Sequence, residues 1–366
     1  SNGKTAVFRL KRTDSHRGQS ALKVVNLIED FGDYETLPAL LDSLDERKII
    51  ANSCTETELP EVKVRADGSM YSATLKIAEG CNNRCAYCII PFIRGNYRSK
   101  RQEAVIAEAK ALAEAGCREL ILIAQDTTYY GYDLYGEYRL PQLLKQLCQI
   151  DGIRWIRLMY CYEDRITDEL IQTIREDDKI CNYLDIPIQH ASDNILKAMK
   201  RRSTNRSITD KIAKLKEQIP DIHIRTTLIT GFPGETEEDF DTLYDFVAEQ
   251  RFARLGVFAY SQEEGTVAGQ MPNQIDEEIK TERADSIMRL QMEISLEENR
   301  SKIDTVQEVI VDEIDEDGSY IGRTRYDAPE IDNAVIFTGK QEHKPGDMVM
   351  VHIDDAFDYD LAGTEV

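Results

Sequence analysis

Ser72-Ala73-Thr74-Leu75-Lys76-Ile77-Ala78-Glu79-Gly80-Cys81-Asn82-Asn83-Arg84-Cys85-Ala86-Tyr87-Cys88 is the stretch on which the reading of this chain turns. Ser72–Ile77 reads as a strand, and three cysteines spaced C-x3-C-x2-C follow it directly. A cubane 4Fe-4S cluster takes one thiolate per iron, so three ligands leave one iron open to another donor. Gly80 relieves crowding where the chain turns into the loop. The rival reading is a structural zinc loop. Such a site closes with four ligands, and no Cys or His in the twenty-five residues after Cys88 supplies a fourth; Cys54 or Cys117 would have to be recruited from elsewhere.

Outward from this loop, short apolar strands alternate with amphipathic helices, the pattern of a parallel sheet with helices outside it. Six strands are expected at Ser72–Ile77, Glu119–Ile123, Trp155–Tyr160, Tyr183–Ile186, His223–Ile229 and Arg254–Tyr260, with helices such as Glu103–Ala115 and Glu237–Gln250 between them. Six such units predict an α/β fold, an open or partial barrel with function at the carboxyl ends of its strands. A charged helix is expected at Asp276–Arg300, with Ile279, Ile287, Leu290 and Ile294 on its apolar face. Beyond it, Glu308–Asp312, Tyr320–Thr324, Val335–Thr338 and Met348–Ile353 read as strands of a small all-β module. Residues 1–60 carry only a few candidate helical turns around Leu37–Leu44.

Composition narrows the class. The 366 residues predict two or three domains, and 42% apolar residues in short runs argue against a membrane span. With no apolar stretch at the start, a cytoplasmic address is expected. Eight cysteines in such a chain read as thiols or metal ligands, with Cys117, Cys148 and Cys181 in apolar contexts that suit a core. Net charge is −22, which disfavours a phosphate-driven partner and favours a basic protein. Residues 301–366 hold five Lys plus Arg against seventeen Asp plus Glu, a net of −12.

Other strand ends carry polar groups. Gln125-Asp126-Thr127-Thr128 follows the second strand, Gln189-His190-Ala191-Ser192 the fourth, and Thr230-Gly231-Phe232-Pro233-Gly234-Glu235-Thr236 the fifth. Gly231 and Gly234 would permit close backbone approach to a ligand, and Glu235 would accept hydrogen bonds from one. The bland alternative for the last segment is a helix start, with Thr236 as N-cap and Asp239 at the third helical position. A lone His190 is more often structural than a ligand.

The cysteine loop resembles that of the radical S-adenosylmethionine superfamily. Ile77-Ala78-Glu79-Gly80-Cys81, Ile89-Ile90-Pro91, Arg94-Gly95, Ala124–Thr128, Asp185–Ser192 and Gly231–Phe240 are together similar to the methylthiotransferases. Gly322-Arg323-Thr324-Arg325-Tyr326-Asp327-Ala328-Pro329-Glu330-Ile331-Asp332 and Tyr359-Asp360-Leu361 resemble the TRAM domain of the RimO type. The resemblance runs from about Tyr71 to the end. It implies a partial (β/α)6 TIM-like barrel over 67–300 and a small OB-like TRAM domain over 301–366, with 1–66 unassigned. It implies a 4Fe-4S cluster with one open iron on Cys81, Cys85 and Cys88, and S-adenosylmethionine beside Tyr87, Gln125, Asp126, Gln189, His190, Arg225, Gly231 and Glu235. The activity implied is methylthiolation of the β-carbon of an aspartate in ribosomal protein S-twelve through a 5′-deoxyadenosyl radical, with flavodoxin or ferredoxin as electron donor. The sibling group acts on an adenosine of transfer RNA; the acidic C-terminal module favours the protein substrate over RNA. A binding module with a structural zinc loop, docking to ribosome components without chemistry, is the alternative outside enzymology. Family members carry an N-terminal domain with three more cysteines for a second cluster. Residues 1–70 hold only Cys54, so a truncated or altered form is expected here.

Overall fold

The computed structural model describes residues 70–366 and three short paired strands, Ala6–Phe8, Val25–Ile28 and Ile50–Ala51. The turns expected around Leu37–Leu44 lie outside the described residues. Six parallel strands form the main sheet: β1 (Ser72–Lys76), β2 (Glu119–Ile123), β3 (Trp155–Leu158), β4 (Ile180–Asp185), β5 (His223–Thr230) and β6 (Arg254–Ala259). They lie side by side in chain order, and β1 and β6 do not pair, so the barrel is open. The connecting helices include α1 (Gln102–Glu114), α2 (Leu140–Leu147), α3 (Asp168–Glu176), α4 (Asn205–Gln218) and α5 (Glu237–Gln250), and α6 (Glu277–Arg300) follows β6.

Alternation along the strands separates two buried faces. Leu120, Leu122, Ile156, Leu158, Leu184 and Leu228 point outward and share one core with Val105, Leu143, Ile171, Ile212 and Leu243 of the helices. Each such side chain removed from water contributes on the order of 1.5–3 kcal/mol. The opposite face does not enclose empty space. Ile121, Trp155, Met159, Cys181 and Tyr183 pack against Ile310 and Ala328 of the C-terminal module.

That module is a closed five-stranded barrel: β7 (Val306–Ile314), β8 (Tyr320–Thr324), β9 (Val335–Thr338), β10 (Met348–Ala356) and β11 (Leu361–Glu365). β9 and β11 run parallel and the other pairs antiparallel, giving a five-stranded closure of the OB kind. The fifth strand is absent from the sequence expectation. Leu361-Ala362-Gly363-Thr364-Glu365 has little β-propensity of its own, buries only Leu361 deeply, and is held by backbone pairing to β9 and β10.

Two further expectations shift. The fourth barrel strand begins at Ile180, three residues early, because Asn182 interrupts an apolar run. On α6, Ile287 and Ile294 are buried and Leu290 partly so, but Ile279 is 41% exposed. The amino-terminal turns of α6 lie over polar strand ends, and cations go inward there. Lys280 Nζ donates to the Tyr260 carbonyl at 3.1 Å and Arg283 reaches Glu235 at 2.7 Å.

Candidate functional site

The cluster loop leaves β1 at the carboxyl mouth of the barrel. Gly80 has φ +80°, and a Cβ there would meet the Asn96 carbonyl oxygen at 2.2 Å, so only glycine fits. Cys81 N–H donates to the Gly95 carbonyl at 3.2 Å, while Ala86 N–H donates to the Met199 carbonyl at 2.9 Å. Ala86 in turn accepts from Ala268 N–H at 2.8 Å, which ties the loop across the mouth to chain beyond β4 and β6. Asn82 accepts from Tyr97 N–H at 3.1 Å, and Asn83 donates to Asp126 at 2.9 Å and accepts from Arg165 at 2.8 Å.

Within this frame Cys81 and Cys85 are buried and Cys88 is half-buried. Burial pushes the Cys81 thiol up to about 11, against a hydrogen bond from Asn83 N–H, and the charge of Asp126, followed by those of Cys85 and Cys88, adds to the rise. Burial raises Cys88 as well, opposed by the Ile90 N–H. The three sulfurs thus lie in one another's field, with backbone donors aimed at two of them. Such thiols ionise when a cationic centre binds, which is the donor set a cluster takes. Among the described residues no three His, Cys, Asp or Glu side chains, the loop cysteines included, are set to hold a single metal ion. Cys117, Cys148 and Cys181 are buried, as core residues should be.

The other expected residues divide. Gln125 Oε1 is buried without a partner, and Gln189, at φ +72° and tied by its backbone to Thr227 and Ile229, has a side chain whose one bond is a long 3.4 Å donation to the Pro187 carbonyl. Tyr87 stands half-buried beside Cys85 and packs against the cluster of Ala86, Phe232 and Tyr260. The two glutamine side chains thus have hydrogen-bonding capacity to spare, and the Tyr87 hydroxyl is turned to Cys85. Asp126 has none: Arg165 pairs with it, and Asn83, Thr128 and Tyr129 N–H all donate to it. It braces the cluster loop. Glu235 is likewise committed, accepting from Gly231 N–H at 2.9 Å and from Arg283 at 2.7 Å, with His190 Nε2 at 3.3 Å. His190 is fully buried and accepts Ser192 N–H on Nδ1.

Gly231 makes room for protein, not ligand: a Cβ there would strike Lys280 Cγ at 2.0 Å. Thr236 caps α5 in a reciprocal box with Asp239, as the alternative reading of that segment has it. Arg225 lies in the first half of β5 on the face toward the C-terminal module, paired with Asp185 at 2.9 Å and Asp332 at 3.4 Å.

Two residues at the mouth escaped sequence reasoning. The Tyr162 hydroxyl lies 3.6 Å from Cys85 Sγ. Arg201 stacks its guanidinium 4.4 Å from the Tyr162 ring centre, bonds Glu163 at 3.0 Å and the Pro187 carbonyl at 3.1 Å, and leaves Nη1 buried without a partner. The signal was present in Lys197-Ala198-Met199-Lys200-Arg201-Arg202, a basic run in an acidic chain.

The chain matches the family model described as the Radical SAM superfamily over residues 75–247 and the TRAM domain over residues 303–366. It is 50% identical over 341 residues to a ribosomal protein uS12 methylthiotransferase RimO of Clostridioides difficile, covering 93% of this chain and 77% of that one. It is 56% identical over 295 residues to the protein of the same name from Desulforamulus reducens, covering 80% and 66%. The corresponding protein of Lachnoclostridium phytofermentans is 49% identical over 340 residues, covering 90% and 76%.

Proposed function

Because the chain belongs to the radical S-adenosylmethionine superfamily and, within it, to the RimO-type methylthiotransferases, we propose that it adds a methylthio group to the β-carbon of an aspartate in ribosomal protein uS12. The observation that carries this is the loop of Cys81, Cys85 and Cys88, which β1 delivers to the mouth of an open barrel with N–H donors on two of the sulfurs. Bound there, the cluster and S-adenosylmethionine supply an electron and a carbon radical able to abstract hydrogen from unactivated carbon. The chain's own part is to bind and orient. Gln125, Gln189 and Tyr87 line the cofactor side of the mouth, while Asp126 and Glu235 hold the loops that present them. The division into a barrel over 67–300 and a TRAM module over 301–366 leaves the concave sheet face closed by the module and the carboxyl mouth for substrate.

The acidity of residues 301–366 suits a cationic ribosomal protein and disfavours RNA. A second cluster belongs to the reading of the full reaction, as the source or relay of sulfur. The test is anaerobic incubation of reconstituted protein with uS12, S-adenosylmethionine, sulfide and a reductant, followed by mass spectrometry of uS12 peptides. A gain of one methylthio group on a single aspartate supports the proposal; modification of transfer RNA with uS12 untouched would redirect it to the sibling activity.

A further inference from the structure

The sulfurs of the cluster loop take their hydrogen bonds from different parts of the chain. Asn83 N–H donates to Cys81 Sγ at 3.4 Å, and Ile90 N–H is directed at Cys88. Both donors are backbone groups that follow their cysteines within a few residues, so they come with the fold of the loop. What reaches Cys85 Sγ from outside the loop is a side chain, the Tyr162 hydroxyl at 3.6 Å, carried by the segment after β3. A cysteine that ligates iron is a thiolate and has no proton to give, so across this contact only the phenol can donate.

The placement of that hydroxyl is fixed from several sides. Tyr162 N–H donates to Thr128 Oγ1 at 3.1 Å, and its carbonyl accepts Arg165 N–H at 3.0 Å. Two guanidinium groups lie over the ring, Arg201 at 4.4 Å and Arg165 at 5.5 Å from its centre. Each of them is anchored in turn, Arg201 by Glu163 and Arg165 by Asp126. Backbone, ring and both ion pairs therefore set one position for the oxygen. Outer groups held in this way orient the ligands of a metal centre and tune it.

A hydrogen bond to a cluster sulfur draws negative charge off the thiolate, which favours the more negative reduced state and raises the reduction potential. Resting on the function proposed above, we infer that Tyr162 is a positioning residue whose hydroxyl donates to the Cys85 thiolate and raises the potential of the cluster held there. The phenol keeps its proton in both oxidation states, and no bond forms or breaks. Tyr87 turns its hydroxyl to the same sulfur from within the loop, and it serves as the comparison.

The test is Tyr162→Phe in the reconstituted full chain, which removes one oxygen and leaves the ring for Arg201 to stack on. A redox titration followed by electron paramagnetic resonance gives the midpoint potential. Electron-nuclear double resonance of the reduced protein, in ordinary and in heavy water, resolves exchangeable protons near the cluster. The variant should bind iron as wild type does, lose one exchangeable-proton coupling, and show a roughly tenfold lower ratio of reduced to oxidised protein at the wild-type midpoint, a shift of about 59 mV to more negative potential. Tyr87→Phe should shift the midpoint less. An unchanged midpoint in Tyr162→Phe, or retention of every exchangeable coupling, would overturn the inference, as would a shift found only in Tyr87→Phe. Should Tyr162→Phe take up less iron, the coupling measured on the fraction that carries the cluster decides. A wild-type chain that takes up no cluster would instead remove the assignment beneath the inference, so the two failures are distinguishable.

Discussion

Polar groups meet opposite fates at the two sides of the barrel. Toward the C-terminal module every buried carboxylate is answered. Glu119 accepts from Arg157 at 2.9 Å, Arg323 at 2.5 Å and Ser72 at 2.8 Å, Asp327 pairs with Arg254 at 2.6 Å, and Asp332 with Arg225 and Tyr183. At the carboxyl mouth, Gln125 Oε1, Arg201 Nη1 and the Tyr260 hydroxyl are buried with no partner. Buried polar atoms left open cost about 1–3 kcal/mol each; the interface leaves some as well, Arg323 Nη1 and Arg325 Nε among them, so the contrast lies in its carboxylates, all answered by cations or hydroxyls. The interface spends its polar chemistry on holding two domains together, and the mouth keeps some for a ligand.

The sharpest way to break that contrast is to cut each side separately. Cys85→Ala should abolish cluster incorporation, read as iron per chain, while chemical unfolding of the apoprotein stays within about 1 kcal/mol of wild type. Retention of full iron content would remove Cys85 from the ligand set. Glu119→Ala should do the reverse: stranding Arg157 and Arg323 in the interior costs about 3–5 kcal/mol in urea denaturation, and whatever fraction stays folded should still bind iron.

Acid offers a third cut. Burial alone would raise Asp327, but Arg254 and Lys302 hold it down to about 2; His223 is lowered to about 3 by burial and by Lys302 and Arg254. Both folded values lie below the unfolded ones, so their stabilisation is complete above the unfolded pKa and is lost as pH falls, from about 6.5 for His223 and about 4 for Asp327. Asp327 alone accounts for about 2 kcal/mol. Fluorescence of Trp155, the one tryptophan, which packs at the interface with Ile310 and Ala328, should report progressive loosening between pH 6.5 and 2. A flat acid profile would mean that these groups do not tie the domains. The smallest effect expected is at Thr236→Ala, which removes the cap of α5 and costs about 1 kcal/mol by thermal or urea unfolding without changing iron content.

How much of this was legible in the sequence follows the same division. The cysteine loop, the strand Glu119–Ile123, helix Glu237–Gln250 and its Thr236–Asp239 box are local features, set by spacing and capping chemistry, and sequence reasoning placed them to the residue. Arg225 and Glu235 were assigned toward a cofactor because both sit near strand ends. Their partners, Asp332 and Arg283, lie far along the chain, and only the packed structure shows that these charges are already used. Lys280 opposite Gly231 is the same case: a glycine that looked reserved for a ligand is reserved for a lysine stem. Strand β11 was hidden for another reason, since its order comes from neighbours on both sides and not from its own side chains.

The central claim is that Cys81, Cys85 and Cys88 hold a cluster with an iron open to S-adenosylmethionine. Electron paramagnetic resonance of the anaerobically reconstituted, reduced protein, recorded with and without S-adenosylmethionine, tests it most directly. The account predicts a 4Fe-4S signal that shifts when the cofactor is added; absence of a cluster, or a signal indifferent to the cofactor, would contradict it.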